Sequence, residues 1–303
     1  MGFLMPTGDS DRSSVFGHSF APRSRCPSTF GGALYSAAVS DTETKSQDAR
    51  PQKVKVYLES RYRKLERGLP QTIFYCPECK GNRRKSRGCE RCEGFGKLTK
   101  DSVQEMIGRK AIPLFRAKRG KFHGAGREDI DVLMLGRGRP FVYEVVDSRG
   151  PDADLTRLDE MIREEYAGRI ELEPFRRVER ERVPYWKESK FDKLYRVQVE
   201  FSGEVSPEVV RALAGKSFDI AQRTPTRVAH RRADLERHRH VSIQTVGECV
   251  DGTLSLDIRC LHGTYVKEWI SSDDGRTTPS LTSVLGVPSK CAALDVLDIL
   301  TDD

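Results

Sequence analysis

Apolar and polar positions alternate through "KVKVYLESRYRKL" (53–65), the period-two signature of a half-buried strand. A similar alternation returns in "KLYRVQVEFSG" and again in "ALDVLDIL". "HVSIQTVGECVDGTLSLDIRCLHG" reads as two strands around Asp251-Gly252, a strong hairpin signal because that dipeptide accepts the positive φ angles of a tight turn. Helical spacing marks "DADLTRLDEMIREEY", with Leu155, Leu158, Met161 and Ile162 on one face. "SVQEMIGRKAIPLF" is a short helix with Ser102 as N-cap and Glu105 three residues later, a capping-box spacing. "SPEVVRALAG" carries Pro207 in its first turn and stops at Gly215. "GTYVKEWISSD" and "PSLTSVLG" read as two further helices. "KFHGAGREDIDVLMLGRGRPFVYEVV" (121–146) reads as a hairpin of two apolar runs, with a glycine- and arginine-rich turn between them and a knot of acids at its entrance.

Strands and helices mix without a βαβ cadence, so the expected class is α+β with a mixed, largely antiparallel sheet flanked by helices. No internal repeat is evident. Residues 1–52 show neither period and are rich in Ser, Gly and Thr, the composition of a disordered tail, with a transit peptide as the other reading. The 303 residues suffice for a well-buried core. No apolar run approaches the roughly 20 residues of a membrane span. The formal charge of +7 favours a polyanionic partner, most often nucleic acid.

Four of the eight cysteines, Cys76, Cys79, Cys89 and Cys92, form C-x2-C-x9-C-x2-C. Two such knuckles supply four thiolates in the arrangement that structural zinc takes, and the ribbon spacing favours zinc over an iron–sulfur cluster. This usage fits a reduced compartment and not a disulfide framework. Because a closed four-thiolate site leaves no position for substrate, any such metal is structural. The loop between the knuckles, "KGNRRKSRG", holds five basic side chains and is either a phosphate contact or a solvated loop.

The segment "QRTPTRVAHRRADLERHRHV" has six Arg and three His. Arg227 and Arg231 stand four apart, and Arg223 precedes them on the same side if a helix starts near Pro225. Arginine offers planar donors to phosphate and stacks on unpaired bases, and the acids Asp234 and Glu236 are outnumbered, so nucleic acid is the favoured partner over a solvated face. His123, His230, His238, His240 and His262 stand at no metal-ligand spacing with cysteine and read as RNA-contacting or structural. The carboxylates of the 121–146 segment allow two catalytic readings. Asp131 and Glu144 on facing strands could share a divalent metal, as in a nuclease, although Val146 stands where such sites usually carry lysine. Alternatively, Gly126-Arg127-Glu128-Asp129 delivers a single acid at a strand entrance.

That four-residue motif resembles the Gly-Arg-x-Asp of pseudouridine synthases. "CLHGTYVKEW" is similar to a segment of TruB-type synthases whose basic residue pairs with the catalytic acid, and "KLYRVQVEF" to the strand supplying a tyrosine against the target base. Together with "RYRKLERGLPQT", the cysteine knuckles, "QRTPTRVAHRRADL" and "GTYVKEWISSDDGRTTPSL", these motifs resemble the Pus-ten family of archaea and eukaryotes over about residues 53–299. The resemblance implies a pseudouridine synthase fold with a small zinc ribbon, and a tRNA enzyme that converts uridine to pseudouridine at T-loop positions 54 and/or 55. It implies Asp129 as the catalytic acid, Lys267 as its cation and Tyr195 as the platform for the uracil. Arg127, Tyr265, Arg223, Arg227, Arg231 and Arg232 are expected substrate contacts. Structural Zn2+ on Cys76, Cys79, Cys89 and Cys92 is expected, with no cofactor for the chemistry.

Three divisions follow: a tail over 1–52, the remnant of an N-terminal RNA-binding domain with the ribbon over 53–100, and a catalytic domain over 101–303. The family's N-terminal THUMP-type domain is represented only by "KVKVYLESRYRKL", and Leu133 stands where the family usually has arginine. A monomeric, cytoplasmic enzyme without membrane association is expected. Two other classes stay open: an inactive zinc-stabilised RNA-binding module, and the metal-dependent nuclease. Glu144 and Arg139 are expected to brace the hairpin.

Overall fold

The alternation over 53–64 folds as β1 (Val54–Lys64), whose even positions Leu58, Ser60, Tyr62 and Lys64 are all buried. The computed structural model describes residues 53–302 apart from the side chain of Arg231, and the tail expected over 1–52 lies outside the described residues. After β1 comes the cysteine ribbon, which carries the one-turn helix α1 (Arg83–Ser86). Helix α2 (Val103–Leu114) follows, with Ser102 Oγ accepting the Glu105 N–H at 3.2 Å and donating to its carboxylate at 2.8 Å. Then come β2 (Arg119–Gly124), β3 (Leu133–Ser148), α3 (Leu155–Tyr166), β4 (Ile170–Leu172), β5 (Arg176–Val178) and α4 (Arg182–Glu188). The chain continues through β6 (Lys193–Phe201), α5 (Pro207–Arg211), β7 (Ser217–Arg223), β8 (Glu236–Val250) and β9 (Thr253–Cys260). It ends with α6 (Val266–Ser271), β10 (Thr277–Thr278), α7 (Leu281–Leu285) and β11 (Ser289–Ile299).

Nine of these strands lie in the order β10-β7-β8-β9-β6-β11-β3-β1-β4, with β2 on β3 and β5 on β1. Every pairing is antiparallel except β11 with β3, which run parallel over only Asp295↔Leu133 and Val296↔Met134. The α+β class with a largely antiparallel sheet is therefore observed. β1 pairs with β3 along most of its length, so the strand expected as the end of a separate RNA-binding domain is part of this same sheet. The continuous core runs from Leu58, Met106 and Phe141 through Val197 and Leu256 to Trp269 and Ile299. Among the described residues no helix is long and apolar enough to cross a membrane.

Two expected features take a different form. The "GRGRP" run (136–140) does not turn the chain. It is a bulge inside one long strand, where Tyr62 faces Arg139 but Lys64 faces Met134. Gly136 (φ 57°) and Gly138 (φ 79°) allow it, because a Cβ would lie 2.0 Å from the Leu297 carbonyl oxygen at the first and 2.8 Å from the Tyr62 carbonyl oxygen at the second. The hairpin partner of β3 is β2, and residues 125–132 form the loop between them. In the arginine-dense segment, the helix near Pro225 is a short 3-10 turn (Thr226–Arg231), after which β8 takes the chain. The Asp251-Gly252 hairpin is present, with φ of 48° and 72° as a type I′ turn requires.

Candidate active site

The parallel seam brings the chemistry together. Loop 125–132 ends where β3 begins beside β11; β6 lies on the other side of β11, and α6 packs over it. Above these elements opens a cleft of about 680 Å³ lined by the 126–132 loop, Lys193 and Tyr195 of β6, Arg227 and Arg232, Arg237 and Arg239 of β8, and Gly263–Lys267. Of the site residues expected from sequence, Asp129, Lys267, Tyr195, Arg127, Tyr265, Arg227 and Arg232 all line it. Arg223, the last residue of β7, does not: its guanidinium pairs with Asp234 at 2.8 Å. The side chain of Arg231 lies outside the described residues.

Asp129 is 40 % exposed, with its carboxylate 3.4 Å from Arg227 and 3.6 Å from Lys267. Lys267 is closer to Asp131, at 2.8 and 3.0 Å from its two oxygens. Burial opposes ionisation of Asp131, but this ammonium outweighs it and holds the Asp131 pKa below the usual carboxylate value. The lysine's neighbour Glu268 is buried and binds Arg227 Nε at 2.5 Å, so Lys267 is not spent on it. Arg227 thus bridges two acids, with its guanidinium carbon 6.0 Å from the centre of the Tyr265 ring. Tyr265 caps α6; Gln222 grips both its backbone N–H and its carbonyl, and its hydroxyl accepts from Arg232 at 3.0 Å. Tyr195 is partly buried in the cleft floor, and burial raises its hydroxyl pKa. Lys193, two residues earlier on the same face of β6, donates to the Phe191 carbonyl at 3.0 Å, and burial pushes its ammonium pKa down to about 8.

Beneath the loop lies a buried polar network that the motif reading passed over. Glu128 accepts from Tyr62 at 2.8 and 2.9 Å and from Arg139 Nε at 2.8 Å, while Arg139 also donates to the Ala125 carbonyl at 2.8 Å. Gln71 donates to the Tyr62 hydroxyl at 2.9 Å and to the Gly126 carbonyl at 3.0 Å. Arg139 therefore braces the loop, as expected. Lys64, fully buried with its ammonium 4.0 Å from Glu128, adjoins this network, and period-two alternation could have flagged it, since it shares a strand face with Leu58 and Tyr62.

Glu144 lies elsewhere, against Lys55 at 3.1 Å, Lys121 at 3.3 Å and His123 at 3.1 Å, and does not line the cleft. Asp131 and Glu144 are thus not brought together, and the pairing that a shared divalent metal would need is missing. The four cysteines are brought together: their sulfur atoms all lie within 4.8 Å of one another, with Cys76–Cys89 and Cys79–Cys92 each at 3.7 Å. A tetrahedron with metal–sulfur bonds of about 2.3 Å has edges of about 3.8 Å, so the set fits a four-thiolate metal site. The knuckles share a backbone form, with Lys80-Gly81 and Glu93-Gly94 all at positive φ, and the Gly96 N–H donates to Cys92 Sγ at 3.2 Å.

Compared with known proteins, the chain is 42% identical over 245 residues to the tRNA pseudouridine synthase Pus10 of Methanothrix thermoacetophila, a match covering 80% of this chain and 53% of that protein. It is 44% identical over 246 residues to the protein of that name from Methanothermobacter marburgensis, covering 80% of this chain and 60% of that one. The chain thus spans little more than half the length of these curated relatives. Among solved structures it has a likeness to a Cbf5-Nop10-Gar1 complex, with TM-score 0.36 and 15% identity over 66% of this chain and 46% of that one. A family model described as "Pus10, C-terminal" matches residues 57–300, from within β1 to just past β11. That match takes in all of the sheet but the first residues of β1, together with the loop that carries Asp129, and the chain belongs to the Pus10 family through this C-terminal region.

Proposed function

We propose that the chain is a tRNA pseudouridine synthase that isomerises uridine in the T-loop, at position 54, 55 or both, with Asp129 as its single catalytic acid. The observation that carries this reading is the Asp129 carboxylate in an arginine-lined cleft, within 3.6 Å of both Arg227 and Lys267 and sharing the cleft with Tyr195. In the reaction the bond from uracil N1 to ribose C1′ breaks, a bond from C5 to C1′ forms, and the C5 proton is lost while N1 gains one. Substrate and product are isomers, so the atoms balance without oxidant or co-substrate. Asp129 acts as the carboxylate, attacking C1′ or taking the C2′ proton, with Arg227 and Lys267 beside it to orient it and to balance charge as the glycosidic bond breaks. Tyr195 stacks on the uracil during its rotation. The target base leaves its own stack at a cost of a few kcal/mol, offset by arginine contacts to phosphate and neighbouring bases. Cys76, Cys79, Cys89 and Cys92 hold a structural Zn2+, which takes no part in the chemistry. The protein acts as a monomer.

The test is pseudouridine formation in an unmodified tRNA transcript. Wild type and Asp131→Ala should both give product, the variant more slowly because Lys267 loses its nearer partner. Asp129→Ala should give none. Product from Asp129→Ala, or tRNA binding by wild type with no product, would sink the assignment.

A further inference from the structure

Lys64 is fully buried at the end of β1, beneath the loop that carries Asp129. A buried ammonium is costly unless every N–H is used. Here three carbonyls take them: Leu69 at 2.7 Å, Asp129 at 3.2 Å and Ile130 at 3.2 Å. Three acceptors match the three donors of an ammonium, whereas a neutral amine has two. Glu128, engaged by Tyr62 and Arg139, forms a longer ion pair with Lys64 at 4.0 Å, so all three hydrogen bonds of Lys64 go to main chain while its charge is balanced from beside it.

The same two loop carbonyls have second donors. Asp129 O also accepts the Val132 N–H at 3.2 Å, and Ile130 O the Gly68 N–H at 2.9 Å. One ammonium thus ties the end of β1, the segment that enters the ribbon and the two peptide units at Asp129. These peptide units set the direction of the Asp129 side chain, whose carboxylate must lie within reach of Arg227 and Lys267. From the cleft side, little buries this aspartate. Its position is fixed from below.

We propose that Lys64 is a positioning residue: by binding the carbonyls of Asp129 and Ile130 it holds the catalytic carboxylate at the geometry the reaction needs. The proposal rests on the reading of Asp129 as the catalytic acid. A lysine serving stability alone would be replaced without catalytic loss by an apolar chain of equal length. A positioning lysine would not, because a carboxylate displaced by about 1 Å loses on the order of a hundredfold in rate. Gln71, donating to the Gly126 carbonyl three residues earlier, is a weaker member of the same clamp.

The experiment uses the 303-residue chain with Lys64→Met and Gln71→Leu, each checked for folding by circular dichroism. It measures tRNA affinity, the single-turnover rate of pseudouridine formation and hydrogen exchange of the amides of residues 129–132. For folded Lys64→Met the expected result is affinity within threefold of wild type, a rate lower by at least thirtyfold and exchange at Val132 faster by at least tenfold. Gln71→Leu should lose about three- to tenfold in rate with affinity kept. A rate within threefold of wild type, or unchanged exchange, in folded Lys64→Met overturns the proposal. Should Lys64→Met not fold, Lys64→Arg and Gln71→Leu decide: wild-type rates and exchange in both overturn it, and a rate loss at constant affinity supports it. Absence of product from wild type overturns the catalytic reading itself and this inference with it, whereas product from wild type and from Lys64→Met at rates within threefold of each other removes this inference alone.

Discussion

Arg227 is the side chain whose neighbours differ most from those its sequence context suggests. In a run of arginines it reads as a phosphate contact, yet its guanidinium lies between Asp129 and the buried Glu268. The pairing with Glu268 leaves Lys267 free for the two loop aspartates. Replacing Arg227 by methionine therefore removes a cation from Asp129 and strands Glu268. A loss of about 10²-fold in the rate of pseudouridine formation is expected, in the range for removing one charged stabiliser from an active site. A lower melting temperature should accompany it, modest because the pair is partly solvent-screened. An unchanged single-turnover rate would show that Lys267 alone serves Asp129. The alternation of β1 puts Lys64 on the strand face of Leu58 and Tyr62, a signal the motif reading did not use, whereas no local pattern identifies Glu268 as the partner of Arg227, 41 residues away in sequence.

At the scale of elements, the "GRGRP" run shows how local chemistry misleads. Its glycines do adopt positive φ, as a turn would require, but β1 and β11 approach from both sides and draw the chain into one bulged strand. The ribbon behaves in the opposite way, since its form follows from its own residues. Its buried cluster consists of cysteines alone, while Phe74, Tyr75, Phe95 and Leu98 remain exposed. A segment without an apolar core depends on its metal for order. Purified protein should thus carry one zinc per chain, measured by elemental analysis. A strong chelator should open residues 76–97 to proteolysis while the circular dichroism of the main sheet persists. Metal-free protein with the same protease resistance would refute the zinc assignment.

For the whole molecule, the sheet is two antiparallel halves joined by a two-pair parallel seam, and the cleft lies over that join. Its stability depends partly on carboxylates buried against arginine. Glu59, nearly fully buried, faces desolvation that would raise its pKa, yet hydrogen bonds from Arg182, at 2.6 and 2.8 Å, and from Arg176 hold it down at about 2. A depressed carboxylate pKa contributes stability above its unfolded value of about 4.5, and that contribution is lost as pH falls toward 2. At neutral pH it is on the order of 3 kcal/mol. Melting temperature should stay level from pH 7 to 5 and fall below 4.5. Glu59→Gln should lower it at pH 7 and flatten the acid limb; an acid limb identical to wild type would place the acid sensitivity in other carboxylates.

By itself the sequence determined the elements whose signals are local: the strands of period two, the capped helices, the Asp251-Gly252 turn and the four-thiolate knuckles. Each depends on side chains within a few residues of one another. It also carried the Gly-Arg-x-Asp motif, because a loop's composition is local too. Only the tertiary structure decided which cation meets which acid. It took Glu144 away to Lys55, Lys121 and His123, set Lys267 nearer to Asp131 than to Asp129, and left Arg223 out of the cleft lining. Those outcomes turn on strand order and on a parallel seam formed between residues 133–134 and 295–296. Contacts across such separations are selected by how the whole core packs, and no window along the chain contains them.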